Sequence, residues 1–151
     1  MIKLKKNQVV LLLRGGLGNQ MFQFVFASII AKKNKTTLSI DKNYFSEENQ
    51  NKSDVQRPFE LDVFNVSYNL YEEKLLTYFE IKFYSFLTKL KLIKNEEYTE
   101  SSFEFSKKAL QIKKPVYIKG YFQSYKYFDG NEGYIRSMFT FSNNKLAIIN
   151  N

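Results

Sequence analysis

Arg14, Gly15, Gly16, Leu17, Gly18, Asn19 and Gln20 follow one another between two apolar runs, residues 9–13 and 21–31. That order predicts strand, glycine loop, helix. Such a loop brings backbone N–H groups and a helix N-terminus up against an anion. Gly15, Gly16 and Gly18 permit positive φ and close approach. Asn19 is a candidate N-cap, and its amide can instead face a ligand. Arg14 is the nearest cation. A helix end contributes ~0.3–2 kcal/mol toward an anion, and each charge-assisted hydrogen bond ~1.5–3 kcal/mol. Since ~1.36 kcal/mol is tenfold in rate, a few such contacts matter for expelling a diphosphate. The plainer alternative is a βα turn with an asparagine cap.

Three nucleotide motifs compete for the loop. A Walker A loop needs Gly-Lys followed by Ser or Thr, and neither is present. A dinucleotide fingerprint begins with Gly16-Leu17-Gly18, but Met21 takes the third glycine position, where a side chain obstructs close helix–strand packing. Asp41 stands near where a ribose-binding acid belongs, so this reading stays open. The third is a sugar-nucleotide site.

Composition narrows the chemistry further. The chain has 151 residues and no Cys, which excludes disulfides and thiolate metal sites. It has no His, which removes the usual general base and every imidazole ligand. Catalysis must therefore use carboxylates, Arg, Lys, Tyr, amides or backbone dipoles. The net charge of +8 favours anionic partners, unless Lys is simply the common surface residue here. With 44% apolar residues the chain should fold, as one domain over residues 1–151. Basic residues precede the run 9–13, but that run is too short for a leader and no small-residue cleavage site follows. No run approaches the ~20 apolar residues of a spanning helix. The expected setting is soluble and cytoplasmic, with peripheral contact at the inner membrane face.

The elements that must hold the loop read as follows. Residues 9–13 are apolar on both faces, as in a central strand of a parallel sheet. Residues 21–33 read as a helix that is apolar nearly all round, and so largely buried. Residues 36–40 form a second strand ending at Asp41, which completes β-α-β, a doubly wound signature. Residues 42–57 are a polar loop, 59–64 a short strand or turn, and 95–106 another loop. The stretch 71–93 is helical and very aromatic. A core helix with a solvated lysine face is the reading taken, and a lipid-surface helix the alternative. Residues 116–123 read as a strand running into a loop. A helix starts near Asn131 with Ile135, Met138 and Phe139 on one face. The fold class is α/β, a Rossmann-like parallel sheet flanked by helices.

Four ordered blocks then carry a resemblance. Residues 15–24, Gly-Gly-Leu-Gly-Asn-Gln-Met-Phe-Gln-Phe, strongly resemble the opening signature of the glycosyltransferase family 11 α-1,2-fucosyltransferases. Leu38 to Asp41 looks like the family's second strand with its Asp. Residues 57–65, beginning Arg57-Pro58-Phe59-Glu60-Leu61, are similar to its R-x-[YF]-E-L-x-x-F stretch. Residues 119–128, with Gly120-Tyr121-Phe122-Gln123-Ser124, look like its G-Y-[WF]-Q-S-x-K-Y-F stretch.

The resemblance implies transfer of fucose from GDP-fucose to a galactose 2-hydroxyl, with inversion and without an obligatory metal. It implies no cofactor, GDP-fucose being a substrate. The chain would correspond to the N-terminal half of a GT-B type enzyme, whose two Rossmann-like halves face a cleft. The absence of any Asp-x-Asp pair agrees with metal independence, because departing GDP is then stabilised by backbone N–H groups and Arg. Gly15, Gly16, Leu17, Gly18 and Gln20 would line the cleft, with Gln20 alternatively holding the loop. Asn19 would reach the diphosphate or the reacting centre. Tyr121 and Gln123 would face the acceptor sugar, strand packing being the plainer reading for both.

The family places an H-x-R-R-G-D motif shortly after the block ending near Phe141. This chain has no His and no Arg-Arg pair, so the donor-binding half is expected to be missing. The implied partners are GDP-fucose and a galactoside-terminated glycan of the cell surface or O-antigen, and not nucleic acid. A non-catalytic remnant and a nucleotide- or nucleic-acid-binding module are the competing readings.

Overall fold

The computed structural model describes residues 7–50, 55–72 and 97–141, together with Leu4, Lys82 and Phe86. Val9, Val10 and Leu11 present apolar side chains to both sides of a strand, which suits a strand covered on both faces. They form the middle of β1 (Gln8–Leu12), and all three are fully buried. β1 runs into the glycine turn and then α1 (Leu17–Lys33). The chain returns as β2 (Thr37–Asp41), parallel to β1 with Leu11 opposite Ile40.

Residues 42–57 are not loop throughout, since α2 (Glu47–Gln50) forms a single turn there. β3 (Asn69–Leu70), β4 (Glu97–Thr99) and β5 (Val116–Lys119) complete a sheet of order β3-β2-β1-β5-β4, with every pair parallel. This is the Rossmann-like α/β fold, with β1 at its centre. β3 lies in a stretch with no expected element, and β4 in a segment expected to be loop. They are two and three residues long and mostly exposed, so neither carries an alternation that could be read. Short edge strands of this kind also offer little template for unwanted pairing.

α1 begins at Leu17, four residues before the expected start, with Gly16 in the extended conformation as its N-cap residue. Asn19 is therefore inside the first turn and is not the cap. The cap comes from far along the chain: the Leu17 N–H donates to Glu60 Oε2 at 3.0 Å. Phe24, Val25, Phe26, Ala27, Ile29 and Ile30 are all buried, as a helix apolar all round requires. At the other end, the Asn34 amide donates to the Ile30 and Ile112 carbonyls, and its oxygen accepts the Lys114 N–H. Lys33 Nζ donates to the Leu110 carbonyl at 2.6 Å. The end of α1 is thus tied to the approach into β5.

α3 (Glu132–Met138) follows Asn131 as expected, and its Ile135 shares an apolar cavity with Met21, Phe22 and Val25 of α1. Residues 59–64 hold a 3-10 turn, Leu61–Val63, and Phe64 forms an isolated bridge to Phe141. The helix expected over 71–93 falls largely outside the described residues, as does the tail after Phe141. Among the described residues no helix is long and apolar enough to cross a membrane.

The aromatic excess builds the core between α1 and β5. Phe26 stacks on Phe122 with centroids 3.8 Å apart, and Tyr127 meets both rings edge-on. The Tyr127 hydroxyl accepts the Ser106 N–H at 2.9 Å. Burial holds its pKa above the ordinary value of 10.0. The folded state therefore keeps this proton more tightly than the unfolded chain does. Its stabilisation is complete below about pH 10 and is lost as pH rises from the unfolded value through the raised folded one. Tyr127→Phe is expected to flatten the alkaline fall in stability, followed by urea denaturation across that range. At neutral pH it should cost about 1 kcal/mol for the lost bond to Ser106.

Candidate functional site

In open parallel sheets ligands sit beyond the carboxyl ends of the strands, where neighbouring connections diverge. Here β1 connects to β2 on one side and pairs with β5 on the other, so the divergence lies between β1 and β5. A cavity of about 430 Å³ opens at that point. The turn after β1 supplies Gly15, Gly16, Leu17, Gly18 and Asn19. Tyr44 comes from beyond β2, Val55 and Arg57 from the following segment, and Tyr121 from beyond β5.

Two glutamines one turn apart on α1 fix the glycine turn from beneath. Gln20 is fully buried, and its amide nitrogen donates to the Gly15 carbonyl at 2.8 Å and the Pro58 carbonyl at 2.9 Å. Its oxygen accepts the Glu60 N–H at 3.0 Å. Gln23, also fully buried, accepts the Arg14 N–H and donates to the Arg14 and Asn19 carbonyls. Gln20 thus holds the loop, and its side chain does not line the cavity. Gly15 has φ +80, a conformation that selects glycine, and a Cβ there would lie 2.8 Å from Asn19 Nδ2 and displace that side chain. Gly18 meets nothing within 4 Å, and the bare helix surface leaves the cavity open there.

The far wall is built around Glu100. Its carboxylate accepts the N–H groups of Tyr121 at 2.7 Å and Phe122 at 3.0 Å. Phe122 has φ +52, a left-handed conformation costly for a bulky residue. The core stacking of its ring and the Glu100 bonds together offset that strain. A Cβ on Gly120 would lie 2.5 Å from Glu100 Cβ, so glycine is required where the carboxylate crosses. The strand ends at Lys119, so Tyr121 and Gln123 are not packed as strand residues. Tyr121 lines the cavity. Gln123 Nε2 donates to Asn19 Oδ1 at 2.7 Å, joining the segment beyond β5 to the first turn of α1.

Arg14 stands behind this wall, its guanidinium 4.5 Å from the Tyr121 ring centre, a cation–π contact. Its Nε is buried, with no hydrogen-bond partner among the described residues. Arg14 therefore backs Tyr121 and is not among the described residues lining the cavity, whose cation is Arg57. Arg57 and Tyr44 were not among the expected site residues. Arg57 stood in a recognised block without a role, whereas Tyr44 lies in a polar stretch with no spacing to mark it.

The described lining residues include no carboxylate. They offer the Asn19 carboxamide, the Arg57 guanidinium, two phenols and the first-turn N–H groups of α1. The first of those N–H groups, at Leu17, is already taken by Glu60, while those of Gly18 and Asn19 have no protein acceptor among the described residues. Such an array binds, orients and stabilises developing negative charge. The dinucleotide reading fails on Asp41. It is buried, one carboxylate oxygen accepting the Tyr117 hydroxyl and the other the Asn43 N–H. Met21 lines an apolar cavity shared with Phe128 and Phe139.

Fold and site together define a Rossmann-like domain with a polar ligand cavity at the point where the strand order diverges. Among known proteins, the chain is similar to the O-antigen biosynthesis glycosyltransferase WbnK of Escherichia coli, with 31% identity over 156 aligned residues, covering 91% of this chain and 50% of that protein. The chain thus spans about half the length of this curated relative. No family model matches the chain, and no solved structure matches it.

Gln20→Ala would leave the Glu60 N–H and the Gly15 and Pro58 carbonyls without their partner. A stability loss of about 2–4 kcal/mol is expected, measured as a lowered urea midpoint with unchanged slope. Gly15→Ala is expected to cost about 1–2 kcal/mol for the left-handed conformation, and to shift the Asn19 side-chain amide resonances in NMR spectra.

Proposed function

We propose that this chain is the acceptor-facing part of a glycosyltransferase that moves fucose from GDP-fucose to the 2-hydroxyl of a terminal galactoside, in cell-surface glycan or O-antigen synthesis. The observation that carries the reading is a convergence. Gly15 to Asn19, Arg57 and Tyr121 come from three separate blocks of the fucosyltransferase resemblance, and they meet in one cavity. The O-antigen relative supports the wider class.

In the proposed reaction the galactoside 2-hydroxyl oxygen attacks the anomeric carbon of fucose from the face opposite the diphosphate. The new glycosidic bond forms as the bond to the diphosphate oxygen breaks, so the anomeric centre inverts. GDP leaves with the bonding electron pair, and the hydroxyl proton passes to a base or to water. Asn19 and Arg57, with the Gly18 and Asn19 N–H groups, would orient the sugars and stabilise the charge developing on the departing side. No metal and no cofactor enters this step.

The test uses the protein as its own cell makes it, supplied with GDP-fucose and lactose. Release of GDP and a product whose NMR spectrum places fucose on the galactose 2-hydroxyl are expected. Transfer from a different nucleotide sugar only would overturn the fucose assignment, and no transfer from any donor would overturn the transferase reading. Asn19→Ala is expected to lower kcat about 100-fold. Gln123→Ala, which frees the Asn19 oxygen and removes a second carboxamide beside Tyr121, should lower it about tenfold or less.

A further inference from the structure

Phe103 lies between β4 and β5 with 71% of its surface exposed. A single exposed phenylalanine is ordinary. This ring, however, is stacked on Tyr121, with centroids 6.1 Å apart and planes 28° from parallel. Tyr121 is a wall of the polar cavity, so the two rings carry an aromatic surface from the cavity out to its rim. The platform is held in place. Glu100 binds the Tyr121 and Phe122 N–H groups, the Phe122 ring is anchored against Phe26, and Arg14 lies against the Tyr121 ring.

We infer that the Phe103–Tyr121 pair is the subsite for the second sugar of an oligosaccharide whose terminal sugar occupies the cavity. This rests on the carbohydrate reading of that cavity. A pyranose has a face of C–H groups that suits the negative face of an aromatic ring. It also has an edge of hydroxyls that both donate and accept. Beside Tyr121 stand the Asn19 and Gln123 carboxamides, neutral groups that likewise do both.

A nucleotide base would stack too. The titration below therefore includes GDP as the competing occupant of the platform. The cavity, about 430 Å³, is near the lower end of small-molecule sites. It suits one sugar better than a chain, which leaves the next residue outside, against Phe103.

The experiment titrates the intact protein, without donor, with methyl β-galactoside, with lactose and with GDP, followed by calorimetry or saturation-transfer NMR. Phe103→Ala is expected to weaken lactose binding about three- to tenfold and leave methyl β-galactoside unchanged. Phe103→Tyr should retain lactose binding. Equal loss for both sugars, no loss for either, or no binding of either by the wild type overturns the subsite. So does a loss of GDP affinity in its place, which assigns the platform to a base. Because no donor is present, the result stands apart from fucose transfer. A protein that transfers fucose yet ignores Phe103 keeps the proposed function and loses the subsite, and the opposite pattern does the reverse.

Discussion

The carboxamides of Gln20 and Gln23 are the tie on which the mouth of the sheet depends. Both are fully buried, and between them they satisfy backbone groups of Arg14, Gly15, Asn19, Pro58 and Glu60. A glycine-rich turn has little stiffness of its own. In a low-dielectric interior a saturated polar network is rigid, because releasing any one member strands the others without solvent. The turn takes its shape from the helix beneath it, and the segment carrying Arg57 and Glu60 is fastened to the same helix.

That arrangement alters how the helix start should be regarded. A glycine loop leading into a helix suggests an anion cradle, yet Glu60 supplies negative charge to the first free N–H. The remaining donors at Gly18 and Asn19 face a cavity whose other polar groups are an amide, a guanidinium and phenols. A ligand rich in neutral hydroxyls is well matched to that set, and a charged group has Arg57 to meet it. The strained Phe122 on the opposite wall is held by the same kind of device, a carboxylate taking backbone N–H groups, this time from Glu100.

The parts of the fold legible in the sequence were those with a repeating physical signal. Val9, Val10 and Leu11 declared a doubly covered strand, and the all-round apolar character of α1 declared a buried helix. Gln20 was readable as a residue that could hold the loop, whereas Gln23 stood in a recognised block without a role. The true start of α1 was hidden because Glu60, which caps it, lies far along the chain. β3 and β4 were too short to show any period. At the site, the blocks around Gly15 and Tyr121 were readable as motifs. Glu100 and Phe103 were not, because their roles follow from the backbone turn at Gly120 and Phe122, which spacing alone does not reveal.

The strand order has a consequence in time. β1 precedes β5 in the chain by the whole of α1, β2, β3 and β4, yet it lies in the middle of the sheet and pairs with β5, Val9 against Val116. A nascent chain can form β1, α1 and β2 first, but one edge of β1 then stays open until β5 has emerged. Loop-closure entropy makes such a distant pairing a late event. Until it forms, an apolar strand edge next to the glycine turn is available to other chains, and the cavity has only one wall. Assembly of the site and protection of the central strand are thus completed in the same step.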